Sequence, residues 1–339
     1  MRRFLAPPVL AALLVSAVVA GACSKASPQS PTGPTTGPTT STTTASTTTG
    51  GTSAPTPSPT GEQFPLTVTD DDGVEVTLDH PPTRIVTFAP SATEVLFALG
   101  LGSDVVGVSG KFDDYPKAAR SIPEVGGAGE FGVDPNIEKV VSLNPDLVLT
   151  IEGGDQWKGQ LRHLGIPVFT TNSTDLDDVM HDIQTVGEVT DAVPQANALT
   201  SHMAAQARSV DTAVSSESHV SCFFEVAFNP LYTVGPGSFI YDLLQRAGCD
   251  PVTSKAKNPY PQWSVEDLVR DDPTVYLVSS ESGGTVADVE HRPGFDALSA
   301  VQHDRVYLVD SDLVSRAGPR VVDGLAALAH ALHPDAFGG

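Results

Sequence analysis

The chain has 339 residues, with 41 Asp and Glu against 19 Lys and Arg, a formal charge of −22 and a mean hydropathy near zero. Nucleic-acid binding depends on Lys and Arg displacing counterions from phosphates, so a chain this acidic, with no basic run longer than two residues, excludes it. A wholly disordered acidic chain is excluded as well, because 40% of the residues are apolar and most of them fall in periodic segments able to form a core.

Residues 1–22 read as a secretory signal: Met1-Arg2-Arg3, an uncharged run beginning at Phe4, then small residues before Cys23. Ala20-Gly21-Ala22-Cys23 has the form of a lipobox with Ala where Leu is commonest, which makes Cys23 the expected lipidation site. The alternatives are an ordinary signal peptide or an uncleaved anchor that happens to hold a cysteine. Residues 23–63 are almost entirely Ser, Thr, Pro, Gly and Ala, with Lys25 and Glu62 as the only charges. Such a stretch buries too little apolar surface to offset its conformational entropy, so it is expected to be a disordered tether.

The folded part opens with a hairpin, strands 66–69 and 74–78 around Asp70-Asp71-Asp72-Gly73. The aspartates lack EF-hand spacing and its closing Glu, so they form a turn and not a calcium loop. Strand 84–88 leads to a helix with a capping box, Ser91 and Glu94, closed by Gly100. Strand 105–108 follows. Asp134-Pro135 opens a helix to about Leu143, Asn144-Pro145 breaks it, and strand 147–150, helix 156–164 and strand 166–170 come next. This alternation indicates βα units on a mainly parallel sheet.

From Leu176 to about Ser215 the pattern is helical, and its second part, 194–214, runs without a breaker for a length of about 30 Å. The alternation then restarts with strand 222–228, helix 238–247, helix 265–270, strands 275–278 and 305–309, and helix 320–332. An internal repeat ties the halves together: 137–149 aligns without gaps on 265–277, each copy with a Glu near a helix start, a Pro seven residues later and a buried strand. The chain therefore divides into a signal peptide (1–22), the tether (23–63), an N-terminal α/β lobe (64–175), a helical linker (176–217) and a C-terminal α/β lobe (218–339). The default ligand site is the crevice between the lobes.

Catalytic signatures are absent: no nucleophile elbow, zinc HExxH, CxxC or P-loop occurs. Gly127-Ala128-Gly129-Glu130-Phe131-Gly132 fits GxGxxG, but no helix begins directly after it to receive a pyrophosphate. The nine His are scattered with no pair at ligand spacing, so no metal site is expected. The chain reads as a binding protein and not an enzyme. Cys222 and Cys249, 27 residues apart, form either a disulfide or two buried thiols.

Three stretches carry a family likeness. Arg84-Ile-Val-Thr-Phe-Ala-Pro-Ser-Ala-Thr-Glu-Val-Leu-Phe-Ala-Leu-Gly100, Val106-Gly-Val-Ser109 with Asp114-Tyr-Pro116, and Arg316-Ala-Gly-Pro-Arg320 with Leu332-His-Pro334 resemble the substrate-binding proteins of ABC importers for cobalamin, siderophores and haem. The resemblance covers about residues 65–335. It implies two similar Rossmann-like lobes joined by one long rigid helix, a ligand held between them, and a monomer that serves a membrane permease and its ATPase.

By motif position, Glu138 and Glu266 are the residues that dock on the permease, the same pair that the repeat aligns. A carboxylate in a first helical turn is also stabilised by the helix dipole whatever its partner. The turn at Phe112 and Tyr115 and the Pro259-Tyr260-Pro261-Gln262 segment look most like cobalamin binders. Phe112, Phe131, Tyr232, Tyr260 and Trp263 are the aromatics expected at the crevice, with Tyr115 and Arg316 beside them, each against a place in the lobe core. Two further ligands fit the family: a ferric siderophore drawn by Lys111 and Arg316, or haem with Tyr115, Tyr232 or Tyr260 on its iron. The same fold used as a non-transport sensor, with no permease, is the other class.

Overall fold

The computed structural model describes residues 64–126 and 135–338. The signal segment, Cys23, the tether, the glycine loop with Phe131, and Asp134 lie outside the described residues. Strands β1 (Leu66–Thr69) and β2 (Glu75–Leu78) form the expected antiparallel hairpin, in register from Leu66 with Leu78 to Thr69 with Glu75. Then come β3 (Ile85–Thr87), α1 (Pro90–Ala98), β4 (Val105–Gly107), α2 (Ile137–Ser142), β5 (Leu147–Ile151), α3 (Asp155–His163) and β6 (Val168–Thr171). The four later strands make one parallel sheet in the order β4-β3-β5-β6.

Helices α4 (Leu176–Val189) and α5 (Val193–Val214) follow and pack on each other. They approach so closely that a side-chain carbon at Gly187 would lie 2.4 Å from the Ala196 Cβ. The 22 residues of α5 span about 33 Å. The second sheet is built from β7 (Val220–Ala227), β8 (Tyr232–Thr233), β9 (Cys249–Pro251), β10 (Val275–Ser279) and β11 (Val306–Val309), in the order β11-β10-β7-β8 with β9 also on β7. Only β8 runs antiparallel. Its helices are α6 (Phe239–Arg246), α7 (Val265–Asp271), α8 (Val286–Glu290), α9 (Ser299–Gln302), α10 (Ser311–Ser315) and α11 (Val321–Leu332).

The period-2 alternation of the strands sorts their side chains into separate cores. Ile85, Leu147, Leu149, Cys222, Phe224, Val275 and Leu277 share one apolar cluster with α4, α5 and α11, so one core is continuous through both sheets. Val86, Val148 and Val168 point to the opposite face of the first sheet, and Phe223, Tyr276 and Val278 to that of the second. Cys222 and Cys249, both fully buried, are joined as a disulfide with Cα atoms 5.9 Å apart, which closes β9 onto β7. A cross-link of this loop length removes unfolded-state freedom worth about 3.5 kcal/mol.

The sequence repeat holds in its caps as well as its helices. Asn136 accepts the Lys139 N–H, and 128 residues on Ser264 accepts the Asp267 N–H. Both helices end at a left-handed residue, Asn144 (φ 46°) and Asp272 (φ 41°), the type of side chain that tolerates that conformation best. The first helix starts at Ile137 and not at Pro135, because Asn136 supplies the cap. The capping box expected at Ser91 and Glu94 is not formed: α1 starts after Ala89 with no side-chain cap, and Glu94 is turned to arginines from the far end of the chain.

The aspartate turn is an anchor as well as a turn. Asp70 accepts from Val74 N at 2.8 Å and Thr170 N at 3.2 Å, Asp71 from Asn172 N at 2.6 Å, and Asp72 from the fully buried Lys158 Nζ at 2.7 Å. Beside it, burial and then the Asp71 charge push the Asp182 carboxyl up to about 7, against the hydrogen bond donated by Ser173. The folded chain therefore binds this proton more tightly than the unfolded one, and stability falls as pH rises from about 4 to about 7. Asp182→Asn is expected to flatten that slope and to stabilise the chain at about pH 8 by roughly 1–2 kcal/mol after solvent screening. Melting temperatures of both proteins across this range provide the check.

Candidate ligand site

In an open α/β sheet, ligands bind beyond the carboxyl ends of the strands, where the loops are free to vary. Four of the large apolar side chains left exposed lie in such places, while Val141, Leu164 and Leu308 are exposed elsewhere. Ile151, the last residue of β5, is 39% exposed although the four before it are buried, and Phe228, just past β7, is 38% exposed. Tyr115 and Tyr260, in loops of the first and second halves, are 47% and 50% exposed. Each lies near a residue of the other half. Burial and then the Glu152 carboxylate, next to Ile151 on the first half, push the Tyr260 phenol above its usual range. Arg320 of the second half lies with its Cζ 3.9 Å from the Tyr115 ring centroid.

The Tyr115 wall is held from below by a buried carboxylate. Asp113 accepts from the Thr93 and Ser109 hydroxyls and from Gly110 N at 3.0 Å, and the Thr87 and Thr93 hydroxyls meet at 2.6 Å. Phe112 is half-buried, with Lys111 Nζ 4.9 Å from its ring centroid. The Phe228 wall has its own support. Arg292 places its Cζ 3.7 Å from the Phe228 ring and pairs with the fully buried Glu225.

The floor of the crevice is ionic. Arg316 reaches Glu94 at 3.0 Å, Asp114 at 3.3 Å and Asp312 at 2.7 Å, while Arg320 donates through Nε and Nη2 to both Glu94 oxygens at 2.8 and 2.6 Å. Glu94 and Asp114 belong to the first half and both arginines to the second, so the cluster bridges the halves. Arg316, expected as a cation open to an anionic ligand, is instead saturated by three carboxylates and only 10% exposed.

Of the other expected crevice residues, Tyr232 is half-buried and bridges Gln262, and Trp263 packs against the core of the second sheet with its indole N–H unpartnered among the described residues. Phe131 lies outside the described residues. Sequence reasoning did not single out Glu94, Asp114, Glu152, Phe228 or Arg320. The Arg316–Arg320 motif held the clue for the last, but Glu94 had an equally ordinary reading as a helix cap. Glu138 and Glu266 are exposed on α2 and α7, and among the described residues neither meets a cation or a hydrogen-bond donor.

Residues 85–313 match the family described as periplasmic binding protein. The ABC transporter substrate-binding lipoprotein YvrC of Bacillus subtilis is 35% identical, over 81% of this chain and 88% of its own length. A cobalamin-binding protein of Halobacterium salinarum is 31% identical over 80% and 74%. Among solved structures, the periplasmic vitamin B12 binding protein BtuF of Vibrio cholerae superposes with a TM-score of 0.66 at 25% identity, covering 76% of this chain and 99% of that one. The periplasmic heme-binding protein RhuT of Roseiflexus superposes with a TM-score of 0.67 at 25% identity, covering 75% and 98%. With two mainly parallel sheets and a match over most of its folded length, the chain belongs to the periplasmic binding protein family, as a substrate-binding component of an ABC transporter.

Proposed function

We propose that this chain captures a corrinoid in the crevice between its two halves, outside the cytoplasm, and delivers it to a membrane permease driven by an ATPase. In this reading the chain is a monomer, held to the membrane by a lipid on Cys23 and reaching outward on its tether. No described helix is long and apolar enough to cross a membrane. The observation that carries the ligand reading is the pairing of exposed aromatics, Tyr115 and Tyr260, around a floor whose arginines are already neutralised. A large, flat, mostly neutral macrocycle needs apolar faces and hydrogen bonds more than it needs a counter-charge.

The alternatives fit less well. An anionic ferric siderophore would meet Arg316 with its guanidinium occupied, leaving Lys111 and the exposed Arg120, itself bonded to Asp114, as the cations on that wall. Haem held through a tyrosine needs a phenolate, and the Glu152 carboxylate near Tyr260 opposes one there, so a haem reading would rest on Tyr115 or Tyr232. The relatives named for cobalamin and vitamin B12 support the corrinoid, and the haem-binding neighbour is the reason to test both.

Cyanocobalamin at about 100 times its dissociation constant is expected to stabilise the folded chain by about 2.7 kcal/mol. Thermal-shift measurements with cyanocobalamin, haem and a ferric hydroxamate read this directly. A shift with haem or the hydroxamate and none with any corrinoid would remove the reading.

A further inference from the structure

Glu94 is unusual among the acidic groups of this chain. It is 3% exposed, yet it sits on α1 of the first half and touches two arginines of the second, Arg316 through one oxygen and Arg320 through both. The other carboxylates on Arg316 are easier to move, since the Asp114 side chain is 37% exposed and that of Asp312 is 28% exposed. Gly318, between the arginines, lies 3.5 Å from the Ser91 carbonyl as judged from the carbon a side chain would add, so α1 and the 316–320 loop are in direct contact. Arg316 and Arg320 face three carboxylates, Glu94, Asp114 and Asp312, and Asp114 is also shared with Arg120 at 3.5 Å, so the charges of the floor balance.

We propose that Glu94 is a specificity-determining residue: by holding Arg316 and Arg320 in one bridge across the two halves, it denies both to anionic ligands. The inference rests on the corrinoid reading for what the crevice accepts, and adds which residue sets what it rejects. A buried carboxylate that grips both cations cannot be displaced by an entering anion without stranding its own charge, so the rejection is strong. Specificity of this kind arises from the unfavourable state offered to the wrong partner.

The test uses the full chain and its Glu94→Gln variant, with two probes: a multiply negative ferric tris-catecholate and neutral cyanocobalamin, both titrated by calorimetry. Gln keeps the shape and one acceptor while removing the charge. The variant is expected to bind the catecholate about tenfold more tightly than the parent, equivalent to ~1.4 kcal/mol, while cyanocobalamin affinity changes much less. Asp312→Asn, at a more exposed position on the same arginine, is expected to act in the same direction and more weakly, and serves if Glu94→Gln does not fold. Unchanged catecholate affinity in the folded variant, or an equal gain for both probes, would overturn the proposal. If cyanocobalamin binds neither protein while the catecholate gain appears, the corrinoid reading falls and the role of Glu94 stands. If cyanocobalamin binds and the gain is missing, the reverse holds.

Discussion

Replacing Arg292 by Leu is expected to destabilise the chain by about 3–5 kcal/mol, the range for removing one partner of a buried ion pair. Glu225 is fully buried in β7, where it accepts from Arg292 Nη1, from Arg292 Nη2 at 3.0 Å and from the Tyr276 hydroxyl at 2.6 Å. Burial, followed by the Glu225 charge, holds that hydroxyl well above the usual tyrosine range, so it remains a donor. Without Arg292 the carboxylate keeps one neutral donor, which cannot replace a bidentate guanidinium. The double variant Glu225→Gln/Arg292→Leu, which removes both charges, is expected to recover part of the loss. Urea unfolding at unchanged m-value measures both changes. A loss below about 1 kcal/mol for Arg292→Leu would mean that the carboxylate finds water or another donor.

The same substitution bears on the crevice. Arg292 lies 3.7 Å behind the Phe228 ring and 5.4 Å from Phe295, so it fixes the angle at which Phe228 faces outward. Folded Arg292→Leu protein should therefore bind cyanocobalamin more weakly even at temperatures well below its melting point. A cation stacked behind an aromatic ring adds roughly 0.5–2 kcal/mol, so the loss in affinity is expected to be modest beside the loss in stability.

The fold was legible because local signals agreed with each other. Short buried apolar strands separated by helices, the Asn144-Pro145 and Asp272-Pro273 breakers, and the gap-free repeat all point to two mainly parallel sheets, and β3, β5, β7 and β10 lie where that pattern places them. The elements that the pattern did not mark are short: two residues in β8, three in β9, five in α8 and in α10, four in α9. Segments of that length show too little of either period to register, although Thr285 and Asp288 do form the capping box that announces α8. The ionic floor was illegible for a different reason. Glu94 and Arg316 are 222 residues apart, and nothing local distinguishes a glutamate that caps its own helix from one that crosses to another half. Tertiary contact decided between them.

The second large effect concerns transport. Changing both Glu138 and Glu266 to Ala is expected to abolish uptake of labelled cyanocobalamin by cells carrying the chain and its permease, while leaving cyanocobalamin affinity of the isolated chain unchanged. Both carboxylates are exposed, sit in the first turn of α2 and α7, and follow an equivalent side-chain cap in each half. Beneath each, a single residue of the helix is buried, Val140 in one and Leu268 in the other, so the two helices present their acidic turns in the same way. Helix-dipole stabilisation, about 0.3–1 kcal/mol each, accounts for a Glu at either position and predicts a small loss of stability with no loss of uptake. Docking on basic pockets predicts much more. Truncating a paired interfacial charge costs about 2–5 kcal/mol, so losing two would weaken the complex by about 4 kcal/mol or more, close to a thousandfold. Single variants should fall between, and the affinity of either for the permease should depend less steeply on salt than that of the parent, since one of the two charge pairs that salt screens is gone. Normal uptake by the double variant would assign both carboxylates to their helices alone.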